Sequence, residues 1–392
     1  MNKFDEIQLI INRLHVAFET EHVALDNAFN RVLREDVIAD MDMPPFHKSA
    51  MDGYACRYDN IGKPMEVLEV IQAGMVSEKY VGKNQCIKIM TGAAVPAGCD
   101  CVFKVEDSET IADNVVKCTN PKTAKNICYQ GEDYLASDVL IEKGTLISTP
   151  QMAVLAGAGY STVTVTKRPR ITVIATGSEL VSPASKPNPG QIRNSNTSQL
   201  LSQLRKMNLE VADSLMLTDD YRELSETFDR SLQNSDIILF TGGASVGDFD
   251  FIPGILKEKG FKVYWDRTGI KPGNPMTFSQ KKDKFVIGLS GNPVSSLAQF
   301  ELIAKDVLYS LMGAKYQPLR IKGFLNFDFS RKKADRIAVI PVLIDNEGLI
   351  SEIPFHGSAH INALVKANAL MEVPVNITDV KKGETVYVRP LQ

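Results

Sequence analysis

A chain of 392 residues is longer than one ordinary hydrophobic core organises, and roughly two to four domains are expected. With 44% hydrophobic and 23% charged residues it has the balance of a globular protein, and its net charge of −3 excludes a global attraction to nucleic acid or membrane surfaces. Any anionic ligand must be held by a local cluster of Lys, Arg and N–H donors.

No apolar run approaches the ~20 residues of a membrane span. The first residues, MNKFDE, lack the basic and apolar segments of a signal peptide, so a cytoplasmic protein is expected. Six cysteines are scattered at 56, 86, 99, 101, 118 and 128, and no His lies near the close pair Cys99 and Cys101. They read as small buried hydrophobes, not as a zinc set or a disulfide framework. The Lys-Lys runs at 281–282, 332–333 and 381–382 read as solvated loop charge.

In chain order, 4–38 is predicted helical, from Ile7, Ile10, Ile11 and Leu14 and then Leu25, Phe29, Val32 and Leu33 at helical spacing. An extended stretch at 41–46 leads to short β segments at 65–71, 85–90, 101–105, 115–118 and 139–141. An Ala-rich helix at 150–159 and a strand at 162–166 precede a boundary at Pro169. Strands at 171–175, 209–217, 237–240 and 285–289 then alternate with helices at 198–207, 221–232, 252–259 and 295–312. That alternation predicts right-handed βαβ units and a parallel sheet covered on both faces. The remainder is β-like, at 320–329, 337–344 and 385–389, and no repeat at solenoid periods is present.

Ligands on such sheets bind at the carboxyl ends of the strands. Three of those ends are polar and small here: Thr176-Gly177, Gly242-Gly243 and Ser290-Gly291. The second is the richest, running through Ser245 and Gly247 to Asp248, Asp250 and an expected helix start. Glycines let backbone N–H groups approach an anion closely. The adjacent carboxylates suggest a phosphorylated ligand handled with Mg²⁺. The loop is neither a Walker A nor a GxGxxG motif. Asp248 or Asp250 could instead merely N-cap the following helix, and Glu179 could favour a helix N-terminus in the same way. Ser195 and Asn196 suit both capping and ligand contact. Asn292-Pro293 opens the last helix, which leaves Ser290 and Gly291 as the better ligand candidates there. The five histidines offer no identifiable general base; His47, His356 and His360 read as structural.

Segments 43–55 (MPPFHKSAMDGYA), 90–106 (MTGAAVPAGCDCVFKVE), 131–133 (GED), 175–180 (ATGSEL), 192–196 (IRNSN), the glycine loop, 270–275 (IKPGNP) and 289–296 (LSGNPVS) follow in order over nearly the whole chain. Together they strongly resemble the MoeA-type family of molybdenum-inserting enzymes of molybdenum-cofactor biosynthesis, which includes the gephyrin E-domain. The resemblance implies a multidomain α/β plus β chain. Its parts are a helical and extended arm (1–45 and 145–168), an inserted β module (46–144), a parallel-sheet α/β molybdopterin-binding-like domain (169–315) and a C-terminal β-barrel-like domain (316–392). It implies a transferase that takes adenylylated molybdopterin and molybdate, cleaves the pyrophosphate with Mg²⁺, releases AMP and leaves molybdenum on the dithiolene.

By the same resemblance Asp52, Glu179, Asp250 and Lys271 are catalytic candidates, with Asp250 and Glu179 holding Mg²⁺ and Asp248 next. Thr91, Asp133, Thr176, Gly177, Ser195, Asn196, Gly242, Gly243, Ser245, Gly247, Asp248, Gly273, Ser290 and Gly291 are substrate-binding candidates. Arg267, Lys271, Arg336 and Ser358 are candidates for molybdate, a tetrahedral oxyanion that needs cations and hydroxyl donors. Family members are homodimers, and Asp52, Thr91 and Asp133 are expected to reach the partner's active site; serving local turns is the plainer reading of Asp52 and Asp133. The molybdopterin adenylyltransferase is both a candidate partner and the nearest enzymatic alternative, and a pterin-binding scaffold without chemistry is another. Three positions depart from the family pattern: Ser178 replaces Asp, Asn274 replaces the second Lys of KPGKP, and Cys128 stands where Arg is common.

Overall fold

The computed structural model describes residues 2–243 and 251–391, and they divide into two compact units. One comprises Met1–Glu35, Lys143–Thr149 and Thr162–Gln392; the other comprises Asp36–Glu142 and Pro150–Ser161.

The smaller unit is built on a six-stranded sheet in the order Cys101–Lys104, Gly53–Cys56, Gln85–Ile89, Pro64–Ile71, Val115–Cys118, Ser108–Ala112. The predicted β segments are present, and Gly53–Cys56 is a strand that begins directly after Asp52. Gly53 is required there because a Cβ would stand 1.9 Å from the Phe103 carbonyl oxygen. One face of the sheet buries Cys56, Cys86, Cys101 and Cys118 with Tyr54, Met65 and Phe103. All six cysteines are free. Cys128 is the register partner of Lys48, so an Arg at 128 would set two cations opposite each other.

The larger unit corrects the helical reading of 4–38. Its helix ends at Ile11, and Thr20–Ala24 is instead a strand paired antiparallel with Thr162–Thr166. A short 3₁₀ turn follows at Leu25–Asn27. Leu25, Phe29, Val32 and Leu33 mimic helical spacing, but Asn30 takes a left-handed φ of 57° and Phe29 remains exposed.

The parallel-sheet expectation is corrected in part, because the α/β sheet is mixed. Its order is Val211–Leu217, Ile171–Thr176, Ile237–Thr241, Lys284–Leu289, Pro275–Lys281, Lys262–Arg267. The first four strands are parallel and the last two antiparallel. The turn between Lys281 and Lys284 is too short for a crossover, so only a hairpin can form. Ile237–Thr241 is buried throughout, as a strand covered on both faces must be. The helix expected at 295–312 runs from Pro293 to Leu311 and contains a π segment, Phe300–Ala304.

In the C-terminal part Ile337–Ile344, Leu349–Glu352, Ile321–Leu325, Thr385–Pro390 and Ala369–Val373 pair in sequence, and Ala369–Val373 pairs back onto Ile337–Ile344. This closes a five-stranded barrel around Leu325, Val342, Ile350, Met371 and Val388. The predicted strand at 320–329 is shorter than expected, since Phe329–Ser330 pairs separately with Asp379–Val380. Ile270–Lys271 adds to the barrel in parallel, with Ile270 opposite Ile337 and Lys271 opposite Ala338.

Candidate functional site

A cleft of about 1480 Å³ opens in the larger unit, where the α/β strand ends meet the barrel. Thr176, Gly177 and Glu179 line it after one strand, Gly242 and Gly243 after the next, and Ser290 and Gly291 after the third. Ser195 and Asn196 enter from the start of the helix Asn196–Lys206. Lys271, Gly273, Arg336 and Ser358 complete the predicted set on the barrel side. Arg267 is exposed at the end of its edge strand and does not line the cleft. Ser245, Gly247, Asp248 and Asp250 lie outside the described residues.

The rim is built by backbone approach and buried amides. Gly242 donates its N–H to the Leu289 carbonyl at 3.2 Å, joining two strand ends. Asn196 Nδ2 donates to Thr241 Oγ1 and to the Gly291 carbonyl, each at 2.8 Å. Its Oδ1 and the Thr176 hydroxyl are buried without a partner among the described residues. Unsatisfied buried polar atoms on a cleft floor suit a polar ligand. Ser195 makes no capping bond; the Thr197 N–H is taken at 3.1 Å by the Asn194 side chain.

The barrel side supplies positive charge. Lys271 lies within the pairing of Ile270–Lys271 with Ile337–Ala338 and Arg336 immediately precedes it, and Ile337 N–H donates to the Gly269 carbonyl at 2.9 Å. Arg336 Nε lies 3.3 Å from Asp335 Oδ2. Arg331 also lines the cleft, but its guanidinium is committed to the carbonyls of Ile377, Arg336 and Pro374. Burial there holds it below the ordinary arginine range.

Two departures from the family pattern have structural roles. Ser178 N–H donates to Asp219 Oδ2 at 3.0 Å, and Asp219 N–H donates back to Ser178 Oγ at 3.2 Å. Asp219 lines the cleft together with Glu179, so a second carboxylate is present although position 178 carries none. Sequence reasoning missed it, although the strand Val211–Leu217 ends there and the strand-end rule applied equally. Asn274 accepts from Gly269 N–H through Oδ1 at 3.1 Å and closes the loop that carries Lys271. Among the described residues no group of three or more His, Cys, Asp or Glu converges as a metal cage. The carboxylates that line the cleft, Glu179, Asp219, Asp328 and Glu352, come from separate segments of the chain.

In the smaller unit Asp52 Oδ1 accepts from both the N–H and the hydroxyl of Thr91, each at 2.7 Å. The N–H bond first, then the hydroxyl, hold the Asp52 carboxyl below the usual range. Asp133 is exposed, and its N–H donates to the Met43 carbonyl at 2.9 Å. His47 Nδ1 accepts from Gln130 N–H at 2.9 Å, which is a structural role.

Three family descriptions match the chain: "MoeA N-terminal region (domain I and II)" over 3–159, "Probable molybdopterin binding domain" over 172–310 and "MoeA C-terminal region (domain IV)" over 325–391. A molybdopterin molybdenumtransferase of Staphylococcus epidermidis is 35% identical over 389 residues, covering 96% of this chain and 93% of that protein. The chain belongs to the MoeA family of molybdopterin molybdenumtransferases. A Staphylococcus aureus member is 33% identical, covering 98% of this chain and 94% of that protein. The crystal structure of a molybdopterin biosynthesis moeA protein from Pyrococcus horikoshii OT3 superposes with a TM-score of 0.84 at 29% identity, covering 100% of both chains. The chain is thus an enzyme, a transferase of molybdenum-cofactor biosynthesis. An adenylyltransferase would leave the matches over 3–159 and 325–391 unexplained.

Proposed function

We propose that the cleft inserts molybdenum: adenylylated molybdopterin is cleaved with Mg²⁺, AMP leaves and molybdate is transferred to the dithiolene. The observation that carries this reading is the pairing of Ile270–Lys271 with Ile337–Ala338, which brings Lys271 and Arg336 to a cleft already rimmed by strand-end glycines. An adenylylated pterin is strongly anionic, and the close-approaching backbone at Gly243, just past the Gly242 N–H held by Leu289, suits its phosphates without a basic protein. Lys271 and Arg336, with the Ser358 hydroxyl, supply the cations and donor that an oxyanion needs. Holding both substrates in one cleft replaces an encounter of two anions in water by a positioned attack.

Glu179 would hold Mg²⁺ together with Asp250, and hard carboxylate oxygens fit that ion. When bound, Mg²⁺ neutralises charge developing on the phosphate oxygens. The family resemblance supports a cytoplasmic homodimer in which Asp52, Thr91 and Asp133 complete the cleft of a second copy. It also supports receipt of substrate from the adenylyltransferase that makes it. The proposed domain limits are 1–45 with 145–168, 46–144, 169–315 and 316–392.

The test is AMP release from adenylylated molybdopterin by the purified protein with Mg²⁺, with and without molybdate. Molybdate-dependent release that Asp250→Ala or Glu179→Ala abolishes supports the reading. Tight pterin binding without release would make the protein a scaffold, and unchanged release by both variants would sink the metal-ligand assignment.

A further inference from the structure

Gln299 is completely buried, at 0% exposure, yet each polar group of its amide is engaged. Nε2 donates to the Gly273 carbonyl at 2.8 Å and to the Pro275 carbonyl at 2.6 Å. Oε1 accepts from the Ser290 N–H at 2.8 Å. One side chain thereby ties the loop that carries Lys271 to the turn that carries Ser290 and Gly291. A Leu or Met would fill the same space in an apolar core, so a fully satisfied amide here specifies geometry as well as packing.

We propose that Gln299 is a positioning residue that fixes the oxyanion-binding Lys271 loop against the Ser290 turn, and so sets molybdate affinity independently of pterin affinity. The inference rests on the molybdenum-insertion reading for its ligand, but its mechanical part does not. The Lys271 loop has other anchors. Thr268 Oγ1 donates to the Gly273 carbonyl at 2.7 Å, and Thr268 N–H donates to the Asn274 carbonyl at 2.8 Å. The pairing at Ile270 and Lys271 holds the loop to the barrel. Those anchors close the loop on itself or on the barrel, and the strands flanking it pair into the α/β sheet, whereas Gln299 is a side chain that joins the loop itself to the Ser290 turn. The helix carrying Gln299 passes into its π segment at the next residue, Phe300. Such segments alter the direction in which side chains leave a helix and often occur at functional sites.

The two ends of the amide separate the roles. Gln299→Glu is close to isosteric and keeps an acceptor for the Ser290 N–H. Its carboxylate has no donor for the Gly273 and Pro275 carbonyls, so only the Lys271 loop is released. In the full-length protein, half-saturating molybdate for AMP release rises about tenfold, the scale of two lost hydrogen bonds. Affinity for adenylylated molybdopterin, by titration without molybdate, stays within about twofold of the parent on the same scale. Hydrogen exchange accelerates at the backbone amides of 268–274 while the Ser290 amide stays protected. Lowering the pH returns one donor to the introduced carboxyl, so the variant's molybdate titration moves back towards the parent's. Gln299→Leu, which releases both rims, weakens both ligands.

Equal weakening of both ligands by Gln299→Glu would overturn the proposal. So would unaltered exchange at 268–274. If the parent itself shows no molybdate-dependent release, the functional reading fails, and exchange still decides whether Gln299 holds the loop.

Discussion

Gly242 passes so close to Thr176 that a Cβ at position 242 would stand 2.2 Å from the Thr176 carbonyl oxygen. The obstacle is backbone at a strand end and cannot rotate aside. Gly242 also takes a φ of +90°, which a side chain disfavours. The two constraints are independent and act on the rim proposed to hold phosphate.

Gly242→Ala is therefore expected to lower stability by about 1–3 kcal/mol, the range for a residue forced into an unfavourable backbone region. The strand ends would part, and affinity for adenylylated molybdopterin would fall at least about tenfold on the scale of lost phosphate contacts. Gly254→Ala is the control. It lies in the helix Ile252–Glu258, and a Cβ there meets nothing within 4 Å. Helix propensity makes it neutral or stabilising by about 0.5–1 kcal/mol. Thermal denaturation and pterin titration of both variants check the contrast.

Asn196 gives a second prediction, because its amide nitrogen ties Thr241 to the Gly291 carbonyl while its oxygen lacks a partner among the described residues. Asn196→Asp keeps the shape and removes both donors. It also sets a negative charge against the Gly291 carbonyl, in a cleft read as anion-binding. Stability is expected to fall by about 1–3 kcal/mol, the cost of leaving buried polar groups unpaired. AMP affinity, measured by calorimetry, should fall further than that of a neutral adenosine probe. Equal losses for AMP and adenosine would mean that position 196 acts on the fold and not on charge.

Much of this architecture was legible because burial writes itself into composition. Ile237–Thr241 and Ile171–Thr176 are covered on both faces, so each reads as an unbroken apolar run ending in a polar turn. The strand-end rule then points to Thr176, Gly242 and Ser290, which line one cleft. The edge strand Lys262–Arg267 was not legible, since only Trp265 in it is buried and the apolar signal is too thin. Residues 20–33 misled for the opposite reason: apolar spacing matched a helix, but pairing with Thr162–Thr166 is a long-range fact that no local window contains. Gln299 was equally hidden. It stands in a helix as an ordinary polar residue, and its role comes from two loops folded onto it from elsewhere.

Asp306 and Arg389 carry the third prediction. Their 2.6 Å ion pair is buried, with both side chains 7% exposed, and joins the last barrel strand to the helix Lys305–Leu311. Gln8 Nε2 donates to the other Asp306 oxygen at 3.4 Å. Asp306→Ala strands a buried guanidinium and is expected to cost about 3–5 kcal/mol. Arg222→Ala breaks only the exposed pair with Glu226 and should leave stability nearly unchanged. Urea denaturation should separate the two by midpoint. A small effect of Asp306→Ala would mean that water reaches Arg389 once the carboxylate is gone.

The buried thiols of the smaller unit give the last prediction, concerning alkali. Burial pushes Cys86 up to about 12, and burial first, then neighbouring charges, push Cys99 up to about 12. Cys56, directly opposite Cys86 and Cys101 in the two flanking strand pairings, is raised by its hydrogen bond to Cys101 and by burial, but the same bond lowers Cys101, so that pair's contributions oppose each other and the alkaline loss rests on Cys86 and Cys99. An unfolded thiol ionises near about 8.5. Between that value and the folded one, the unfolded chain has released protons that the folded chain retains, so stability falls as pH rises. Below about 8.5 the thiols are neutral in both states and contribute no pH dependence. Urea midpoints for this unit are therefore expected to drop steadily between about pH 8.5 and pH 11. Cys86→Ala removes one unfolded thiolate and should flatten that slope, even though the cavity it leaves makes the protein less stable at neutral pH. Iodoacetamide at mildly alkaline pH, read by mass spectrometry, should leave Cys56 and Cys86 unmodified until urea unfolds the unit. Rapid native labelling of Cys86 with an unchanged alkaline slope would show that water and base reach this core without unfolding it.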